Sequence, residues 1–328
     1  MIGPDVVTVG ETMVVLAPDP PGPLARAGTL AVGVGGAESN VAAYLARLGH
    51  RAAWASRVGD DPFGRLVVAQ LAAAGVDVAA VTVDPDAPTG LYVKDPAPEG
   101  TRVHYYRAGS AAARLDRTVL DDSRLAGARV LHLSGITAAL SDSCRDLVAH
   151  ALTRQPLLPG TLVSFDVNHR AGLWPADRAA PVLRRLADRA DVVFVGLDEA
   201  ARLWGCADPV EVRRVLPAPS TVVVKDGAVG ATMLQRHGPS TVVPALPVRV
   251  VEPVGAGDAF AAGYLSALLR GLDPVSRLRY GHLLAGHALR VPGDTAVLPG
   301  RDRLDALAAL PAQRWATLDL TEVDDARA

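Results

Sequence analysis

The chain has 328 residues, 49% of them hydrophobic, which is enough for one large α/β domain or two smaller ones with a substantial core. Its formal net charge is −2 at pH 7 and basic residues form no run, so neither nucleic acid nor an anionic membrane surface is favoured as a partner. The separated cysteines Cys144 and Cys206 do not support a disulfide framework, and the lack of a basic leader or of about 18 uninterrupted apolar residues predicts a cytoplasmic protein.

In the N-terminal part, apolar runs bounded by turn residues predict short strands followed by an alternation of helix and strand. The predicted strands are Val6–Val9, Thr12–Leu16, Ala31–Val34, Ala52–Val58 and Val76–Val83. One predicted helix follows Gly35-Gly36 and ends at Gly49, and a second covers Pro62–Ala74. This alternation predicts a parallel sheet with right-handed crossovers.

The paired glycines Gly35 and Gly36 stand directly before a helix, an arrangement that a simple turn also explains. Because glycine lacks a Cβ, a polyol could lie against this backbone, and Asn40 offers both donors and acceptors. The surrounding G-V-G-G-A-E does not match the dinucleotide pattern G-x-G-x-x-G, and the chain contains no P-loop pattern. We therefore interpret this segment as a candidate sugar site.

The helix–strand alternation breaks between Pro88 and Ala113. Two alternating segments, Gly90–Lys94 and Arg102–Arg107, are joined by turn-rich residues and predict an inserted β-hairpin, a candidate lid. Aromatic residues in a strand usually pack in the core, but Arg107 follows Tyr105-Tyr106 directly. A guanidinium matches a planar carboxylate, so this strand could recognise an acidic substrate.

The alternation then resumes towards the C-terminus. The predicted strands are Val130–Ser134, Thr161–Asp166, Asp191–Val195, Thr221–Lys225 and Ala231–Gln235, and the predicted helices are Asp142–Thr153, Asp198–Trp204 and Val275–Arg290. Asn168 and Arg170 follow a strand end, where open α/β sheets bind ligands, whereas His169 between them is interpreted as structural. The turn Lys225–Gly230 could hold a nucleotide, although two glycines in a turn are weak evidence.

The segment Val250–Leu269 places a turn with Gly255 and Gly257 directly before an apolar helical pattern. Such a helix start offers unpaired N–H groups and a positive dipole end, which together bind anions. Asp258 falls in the first turn, where a general base would deprotonate an attacking hydroxyl. It could also be an ordinary first-turn acid that stabilises the helix by about 0.3–1 kcal/mol.

Two stretches, G-G-A-E-S-N and V-G-A-G-D-A-F, lie about 220 residues apart and together resemble the two signatures of the ribokinase-like (PfkB) carbohydrate kinases. Further stretches, such as V-H-Y-Y-R-A-G-S-A-A and F-D-V-N-H-R-A-G-L-W, are most similar to members that act on 2-keto-3-deoxygluconate. The resemblance implies one domain over residues 1–317, with a doubly wound, mostly parallel sheet flanked by helices. It also implies a β lid from strands at about 12–34 and 88–113, a poorly ordered tail at 318–328, and homo-oligomerisation through the lid.

The resemblance also implies roles for individual residues, with ATP and Mg²⁺ as cofactors and a sugar acid as the small-molecule partner. The implied anion hole and base are Gly255, Ala256, Gly257 and Asp258, assisted by Arg170. The implied substrate contacts are Gly35, Gly36, Asn40, Tyr92, Tyr105, Tyr106, Arg107, Arg170, Asp258 and Asp294. The implied ATP contacts are Asn168, Arg170, Lys225, Gly227, Gly230, Gly255 and Gly257.

The chain departs from the family pattern at three places. His169 replaces a common Tyr, Glu252 stands where Asp is usual, and G-L-D-E-A from Gly196 replaces S-E-E-E-A. The last two positions are expected near Mg²⁺-linked waters, and we assign no metal ligand.

The resemblance predicts an ATP-dependent kinase for the terminal (C6) hydroxyl of 2-keto-3-deoxygluconate. The alternatives are a fructokinase or another sugar kinase of the family, in which Arg107 would have no carboxylate to bind, and a non-catalytic sugar- or nucleotide-binding regulator, which would not need Asp258.

Overall fold

The computed structural model describes residues 3–97, 100–153 and 160–320. Their strands are β1 (Val6–Val9), β2 (Met13–Pro18), β3 (Leu30–Gly35), β4 (Ala52–Gly59), β5 (Val81–Asp84), β6 (Leu91–Ala97), β7 (Gly100–Tyr106), β8 (Val130–Ser134), β9 (Leu162–Asp166), β10 (Val192–Gly196), β11 (Thr221–Asp226), β12 (Gly230–Gln235) and β13 (Thr241–Pro244). Their α-helices are α1 (Ala37–Arg47), α2 (Pro62–Ala73), α3 (Gly135–Leu140), α4 (Asp142–Ala151), α5 (Ala176–Ala187), α6 (Leu197–Trp204), α7 (Pro209–Val215), α8 (Ala256–Leu269), α9 (Pro274–Ala288), α10 (Arg301–Ala308) and α11 (Ala312–Trp315). None of these helices is both long and apolar enough to cross a bilayer.

Nine strands form the central sheet in the order β13-β12-β11-β10-β9-β8-β1-β4-β5. The pairs from β11 to β5 are parallel, and β12 and β13 add an antiparallel edge. Helices cover both faces, and successive residues of one strand enter opposite cores. Phe194 belongs to the core that includes residues of α8 and α9, and Val195 belongs to the core that includes residues of α4 and α5. Burial on both faces explains why these strands read as continuous apolar runs. The predicted doubly wound, mostly parallel sheet is confirmed.

A second sheet, which we call the small sheet, has the strand order β3-β2-β6-β7. Strand β2 pairs antiparallel with β3 and parallel with β6, and β6 pairs antiparallel with β7. Val14 and Leu16 of β2 pack against the main core, whereas Met13, Val15 and Tyr92 form a separate cluster on the other face. The chain passes from β3 into α1 through Gly36, so the small sheet is tied to the central fold beside the helix that bears Asn40.

Several predicted boundaries differ from the structure. The strand predicted at Val76–Val83 is interrupted in the structure. Asp77 forms an isolated bridge with Ala53, its side chain then accepts the Ala79 N–H at 2.9 Å in a turn, and continuous pairing begins at Val81. Five helices (α3, α5, α7, α10 and α11) and strand β13 were not predicted. Helix α5 contains Pro181 but still buries one face through Ala179, Leu183, Leu186 and Ala187.

The start of the predicted tail, at Leu318, is also wrong. Leu320 is fully buried in the core, and Arg290 Nη1 donates to its carbonyl oxygen at 3.0 Å. Burial and a main-chain hydrogen bond hold this segment against the domain. Residues 321–328 of the predicted tail lie outside the described residues.

Candidate active site

The N-terminus of α8 is open on the side where a ligand would approach. Gly255 has a φ of +84°, and a Cβ there would lie 2.2 Å from the main-chain oxygen of Asp294, so both conformation and space require glycine. Ala256 is the first residue of α8. Gly257 has no positive φ, and a Cβ would meet only Lys225 Nζ, at 3.5 Å. The structure therefore does not require glycine at 257, whose missing side chain leaves the helix start free for an anion.

Asp258 lies in the first turn of α8 and is 8% exposed. Its Oδ2 accepts a hydrogen bond from Asn40 Nδ2 at 2.9 Å. Burial raises the pKa of Asp258 to about 7, although the Asn40 hydrogen bond and the positive charge of Arg170 work in the opposite direction. A carboxylate with a pKa near neutrality is well suited to accept a proton from a hydroxyl and to release it.

Several of the predicted substrate contacts lie around Asp294. Tyr92 Oη donates to Asp294 Oδ2 at 2.5 Å, and Lys94 Nζ lies 2.9 Å from Oδ1. Burial and the Asp294 charge raise the pKa of Tyr92, so its hydroxyl remains a donor. A Cβ on Gly35 would lie 2.4 Å from Asp294 Oδ2, and one on Gly36 would lie 2.3 Å from a main-chain oxygen of Glu11. Both glycines are therefore needed for this close packing.

A charged cluster lies at the carboxyl ends of β9, β10 and β11. Lys225 Nζ donates to Asp166 Oδ2 at 2.9 Å. Glu199 accepts the N–H groups of Gly196 and His169, each at 2.8 Å. Burial raises the pKa of Glu199, and the Asp166 charge adds to this effect. Burial lowers the pKa of Lys225, but the charges of Asp166 and Glu199 outweigh it and raise the pKa overall, so Lys225 stays cationic.

Asp166 Oδ1 is buried and has no hydrogen-bond partner among the described residues. No group of three His, Cys, Asp or Glu side chains suited to a metal occurs in the described ranges. Magnesium commonly takes only one or two protein carboxylates and completes its coordination with phosphate oxygens and water. The unpartnered oxygen of Asp166 and the nearby Glu199 therefore fit a phosphate-linked Mg²⁺.

The Arg107 side chain already has partners within the protein. Its guanidinium forms an ion pair with Glu11, whose Oε1 also accepts from Ser110 Oγ at 2.5 Å. Arg107 Cζ lies 5.7 Å from the centre of the Tyr105 ring, which in turn lies 5.7 Å from the Tyr92 ring. Arg107 is 8% exposed, and its Nε has no hydrogen-bond partner among the described residues. Arg107, Tyr105 and Tyr92 therefore share the face of the small sheet that meets Asp294.

Tyr106 occupies the opposite face. It pairs with Leu91 in the register that places Tyr105 opposite Tyr92, and its side chain is 65% exposed. Because side chains alternate between the faces of a strand, Tyr106 cannot share the face on which Tyr105 lies beside Tyr92, whose hydroxyl contacts Asp294. In this conformation the structure does not bring the predicted substrate contact Tyr106 into the site.

The predicted nucleotide glycines lie in the turn between β11 and β12. Gly230 has a φ of +153°, and a Cβ would lie 2.4 Å from the Val243 carbonyl oxygen, so the packing of β13 accounts for this glycine. Gly227 has a φ of +46°, and a Cβ there would meet no atom within 4 Å, so only its backbone conformation favours glycine. Both have structural explanations that do not involve a nucleotide.

Asn168 follows β9 in a left-handed conformation, with a φ of 39°, and is 7% exposed. Non-glycine residues in this conformation are uncommon, and Asn is among those that tolerate it best. Arg170 is exposed, and its charge lowers the pKa of both Asp258 and Glu199. Arg170 therefore lies where its field reaches both the predicted base and the acidic cluster.

Sequence reasoning missed three charged residues of this region, Glu11, Lys94 and Asp166, whereas Glu199 belongs to the stretch from Gly196 that was expected near Mg²⁺-linked waters. The sequence offers one signal for Lys94, because Lys94 and Lys225 are the only lysines in the chain. Glu252, which is expected near Mg²⁺-linked waters, contacts the small sheet in this structure. Its Oε2 accepts from Thr101 Oγ1 at 3.2 Å and lies 3.7 Å from Lys94 Nζ, so its carboxylate faces the small sheet.

Residues 4–301 match the family described as pfkB family carbohydrate kinase. The chain is 37% identical to a 2-dehydro-3-deoxygluconokinase of Bacillus subtilis, covering 94% of this chain and 96% of the relative. It is 36% identical to a 2-dehydro-3-deoxygalactonokinase of Haloferax volcanii, covering 90% and 93%. The crystal structure of a PfkB protein from Polaromonas sp. JS666 superimposes with a TM-score of 0.82 at 37% identity, covering 93% of this chain and 100% of that one.

Proposed function

Because this chain belongs to the pfkB family of carbohydrate kinases, we propose that it transfers the γ-phosphoryl group of ATP to the terminal C6 hydroxyl of 2-keto-3-deoxygluconate. This compound is the 2-dehydro-3-deoxygluconate in the name of the Bacillus subtilis relative. The observation that carries the proposal is the buried Asp258, with a pKa of about 7, placed in the first turn of a glycine-opened helix.

Asp258 accepts the proton of the attacking hydroxyl, and Asn40 holds its carboxylate in place. The N–H groups at Gly255–Gly257 stabilise the charge that develops on the transferred phosphoryl oxygens, and Arg170 adds a positive charge on the same side. The oxygens of Asp166 and Glu199 would hold a Mg²⁺ together with the phosphates, and that ion would neutralise phosphate charge when bound.

Arg107 supports a sugar acid rather than a neutral sugar. Its Nε lacks a hydrogen-bond acceptor among the described residues, and it shares a face with Tyr92 and Tyr105. The pairing with Glu11 favours a second candidate, a fructokinase-type activity, because an already paired Arg107 would not need a substrate carboxylate. The Haloferax volcanii relative makes the galactonate-configured epimer a further candidate substrate.

We also propose that the small sheet acts as a lid and that its exposed edges pair with a second copy of the chain. Leu30 and Val32 on the edge strand β3 are 39% and 52% exposed, and Tyr106 on the other edge strand is 65% exposed. Exposed apolar residues on unpaired sheet edges favour association with another chain. The free cysteines Cys144 and Cys206 fit a cytoplasmic location, and the net charge of −2 gives no reason to expect nucleic acid.

The proposed function is tested by supplying the purified protein with Mg²⁺-ATP and four acceptors: 2-keto-3-deoxygluconate, its galactonate epimer, fructose and ribose. ADP release and the mass of the phosphorylated product are measured, with Asp258→Asn as the inactive control. We expect the highest kcat/KM with 2-keto-3-deoxygluconate. A higher kcat/KM with fructose or ribose would overturn the assignment of a sugar acid as substrate.

A further inference from the structure

Lys94 is a buried cation of the small sheet. It contacts both segments that meet at the start of α8, the one that contains Glu252 and the one that contains Asp294. Lys94, on β6, is 3% exposed. Its Nζ lies 2.9 Å from Asp294 Oδ1 and 3.7 Å from Glu252 Oε2, and it donates to the Pro292 carbonyl oxygen at 3.2 Å. A lysine is seldom buried this deeply unless its charge is matched, and here two carboxylates match it.

Glu252 extends the contact to β7. Its Oε2 accepts from Thr101 Oγ1 at 3.2 Å, and its Oε1 accepts from the main-chain N–H of Val254 at 3.3 Å. Glu252 precedes Gly255 by three residues, so a side chain that touches two strands of the small sheet stands at the entrance to the anion-binding turn. The carboxylate also fixes the main chain of that turn through Val254.

Asp294 reaches the same turn from the other side. Its main-chain oxygen packs so closely on Gly255 that a Cβ there would approach within 2.2 Å, and its side chain holds Lys94 and Tyr92. We call Lys94, Glu252 and Asp294 the Lys94 bridge. Through it, the position of β6 and β7 and the position of the turn at Gly255 depend on one another.

We propose that Lys94 and Glu252 are positioning residues that couple docking of the small sheet to the geometry of the anion-binding turn. The inference rests on the proposed kinase function and deepens it. When the Lys94 bridge is intact, the docked sheet holds the sugar hydroxyl at Asp258 and holds the turn around the γ-phosphoryl group. Neither residue needs to touch the reacting atoms.

Loss of the bridge has a chemical consequence as well as a kinetic one. With the sheet undocked, water reaches the site and competes with the sugar hydroxyl. Its oxygen then forms the new bond to the γ-phosphorus as the bond to the ADP oxygen breaks, and its proton passes to Asp258. ADP and inorganic phosphate are released, so ADP is formed in excess over phosphorylated sugar.

The test compares the wild type with Lys94→Met, Lys94→Arg, Glu252→Gln and the double variant Lys94→Met/Glu252→Gln. We expect each single neutral variant to lower kcat by about tenfold or more, and the double variant to lose little beyond the worse single one, because the two residues act as a unit. The ratio of ADP to sugar phosphate should rise above one in the neutral variants, and Lys94→Arg should restore most of the loss.

A matched control is His104→Gln, which removes the half-exposed side-chain contact between His104 and Asp95, 3.7 Å apart, on the opposite face of the same hairpin. It should leave kcat and the ADP ratio unchanged. If the neutral Lys94 and Glu252 variants lower the melting temperature but keep the ratio at one, the bridge only stabilises the fold and the proposal is overturned.

A second readout does not depend on the identity of the substrate. Hydrogen exchange of the free protein should become faster at residues 252–257 as well as in β6 and β7 when Lys94 is replaced by Met. Faster exchange confined to β6 and β7 would refute the coupling. A wild type inactive on every sugar acid, together with faster exchange in both segments, would refute the proposed function and leave the coupling supported.

Discussion

The pKa of Asp258 makes the pH dependence of the reaction predictable. With a pKa of about 7, the carboxylate is ionised to roughly a tenth at pH 6, half at pH 7 and nine-tenths at pH 8. Only the ionised form accepts the hydroxyl proton. At saturating Mg²⁺-ATP, kcat/KM for the sugar acid should therefore rise about fivefold from pH 6 to pH 7 and less than twofold from pH 7 to pH 8.

The variant Asp258→Asn provides the control. It should lower turnover by roughly 10²–10⁴, the usual effect of removing a general base, and its remaining activity should lack the rise through pH 7. Phosphate groups themselves titrate near pH 6, so a rise that survives in the Asn variant belongs to the nucleotide. A wild-type profile that is flat from pH 5.5 to pH 8, or near-wild-type turnover in the variant, would refute the assignment of Asp258 as the base.

The same raised pKa predicts an effect on stability. Because the folded-state pKa lies above the ordinary value of 3.8, protonated Asp258 contributes its full stabilisation below pH 3.8, and this is lost as pH rises through about 7. The loss is on the order of 4 kcal/mol. The melting temperature of Asp258→Asn should therefore exceed that of the wild type by more at pH 8 than at pH 5, and an equal difference at both would contradict the burial argument.

Three further outcomes are expected. Arg107→Leu should lower kcat/KM for 2-keto-3-deoxygluconate at least about tenfold, the effect of a charged hydrogen bond worth about 1.5–3 kcal/mol, and should affect fructose much less; an equal fractional loss would show that Arg107 serves only to pair with Glu11. Gly255→Ala should lower the melting temperature because of the positive φ and the Asp294 contact, whereas Gly257→Ala should leave it unchanged and raise KM for ATP; equal melting losses would show that position 257 needs glycine for folding. Amides of β6 and β7 should gain protection from hydrogen exchange when sugar acid and a non-hydrolysable ATP analogue bind, and unchanged exchange would indicate a fixed sheet.

The architecture and the helix-start site could be predicted from the sequence because both depend on local pattern. Strand β10, with Val192, Val193, Phe194 and Val195 in succession, reads as apolar throughout because helices cover both faces of the sheet. Asp258 falls in the first turn of α8 because Gly255 and Gly257 stand directly before it. Such features involve residues only a few positions apart.

The partners of these residues could not be predicted, because they come from distant parts of the chain. Asn40 and Asp258 are separated by 218 positions, and Tyr92 and Asp294 by 202. The raised pKa of Asp258 results mainly from burial, which no local pattern reports. The pairing of Arg107 with Glu11 likewise depends on how the small sheet lies against the end of β1.

The tyrosines of β7 show most clearly which features the sequence determines and which the tertiary structure determines. Alternation along a strand requires Tyr105 and Tyr106 to point to opposite faces, and the sequence alone establishes this much. Which of them faces the site depends on the pairing of β7 with β6, which sets Tyr105 opposite Tyr92, and on the contact of Tyr92 with Asp294. Glu252 is a second example. Its charge is known from the sequence, but the direction of its carboxylate depends on the positions of Lys94 and Thr101 in the small sheet, which only the tertiary structure provides.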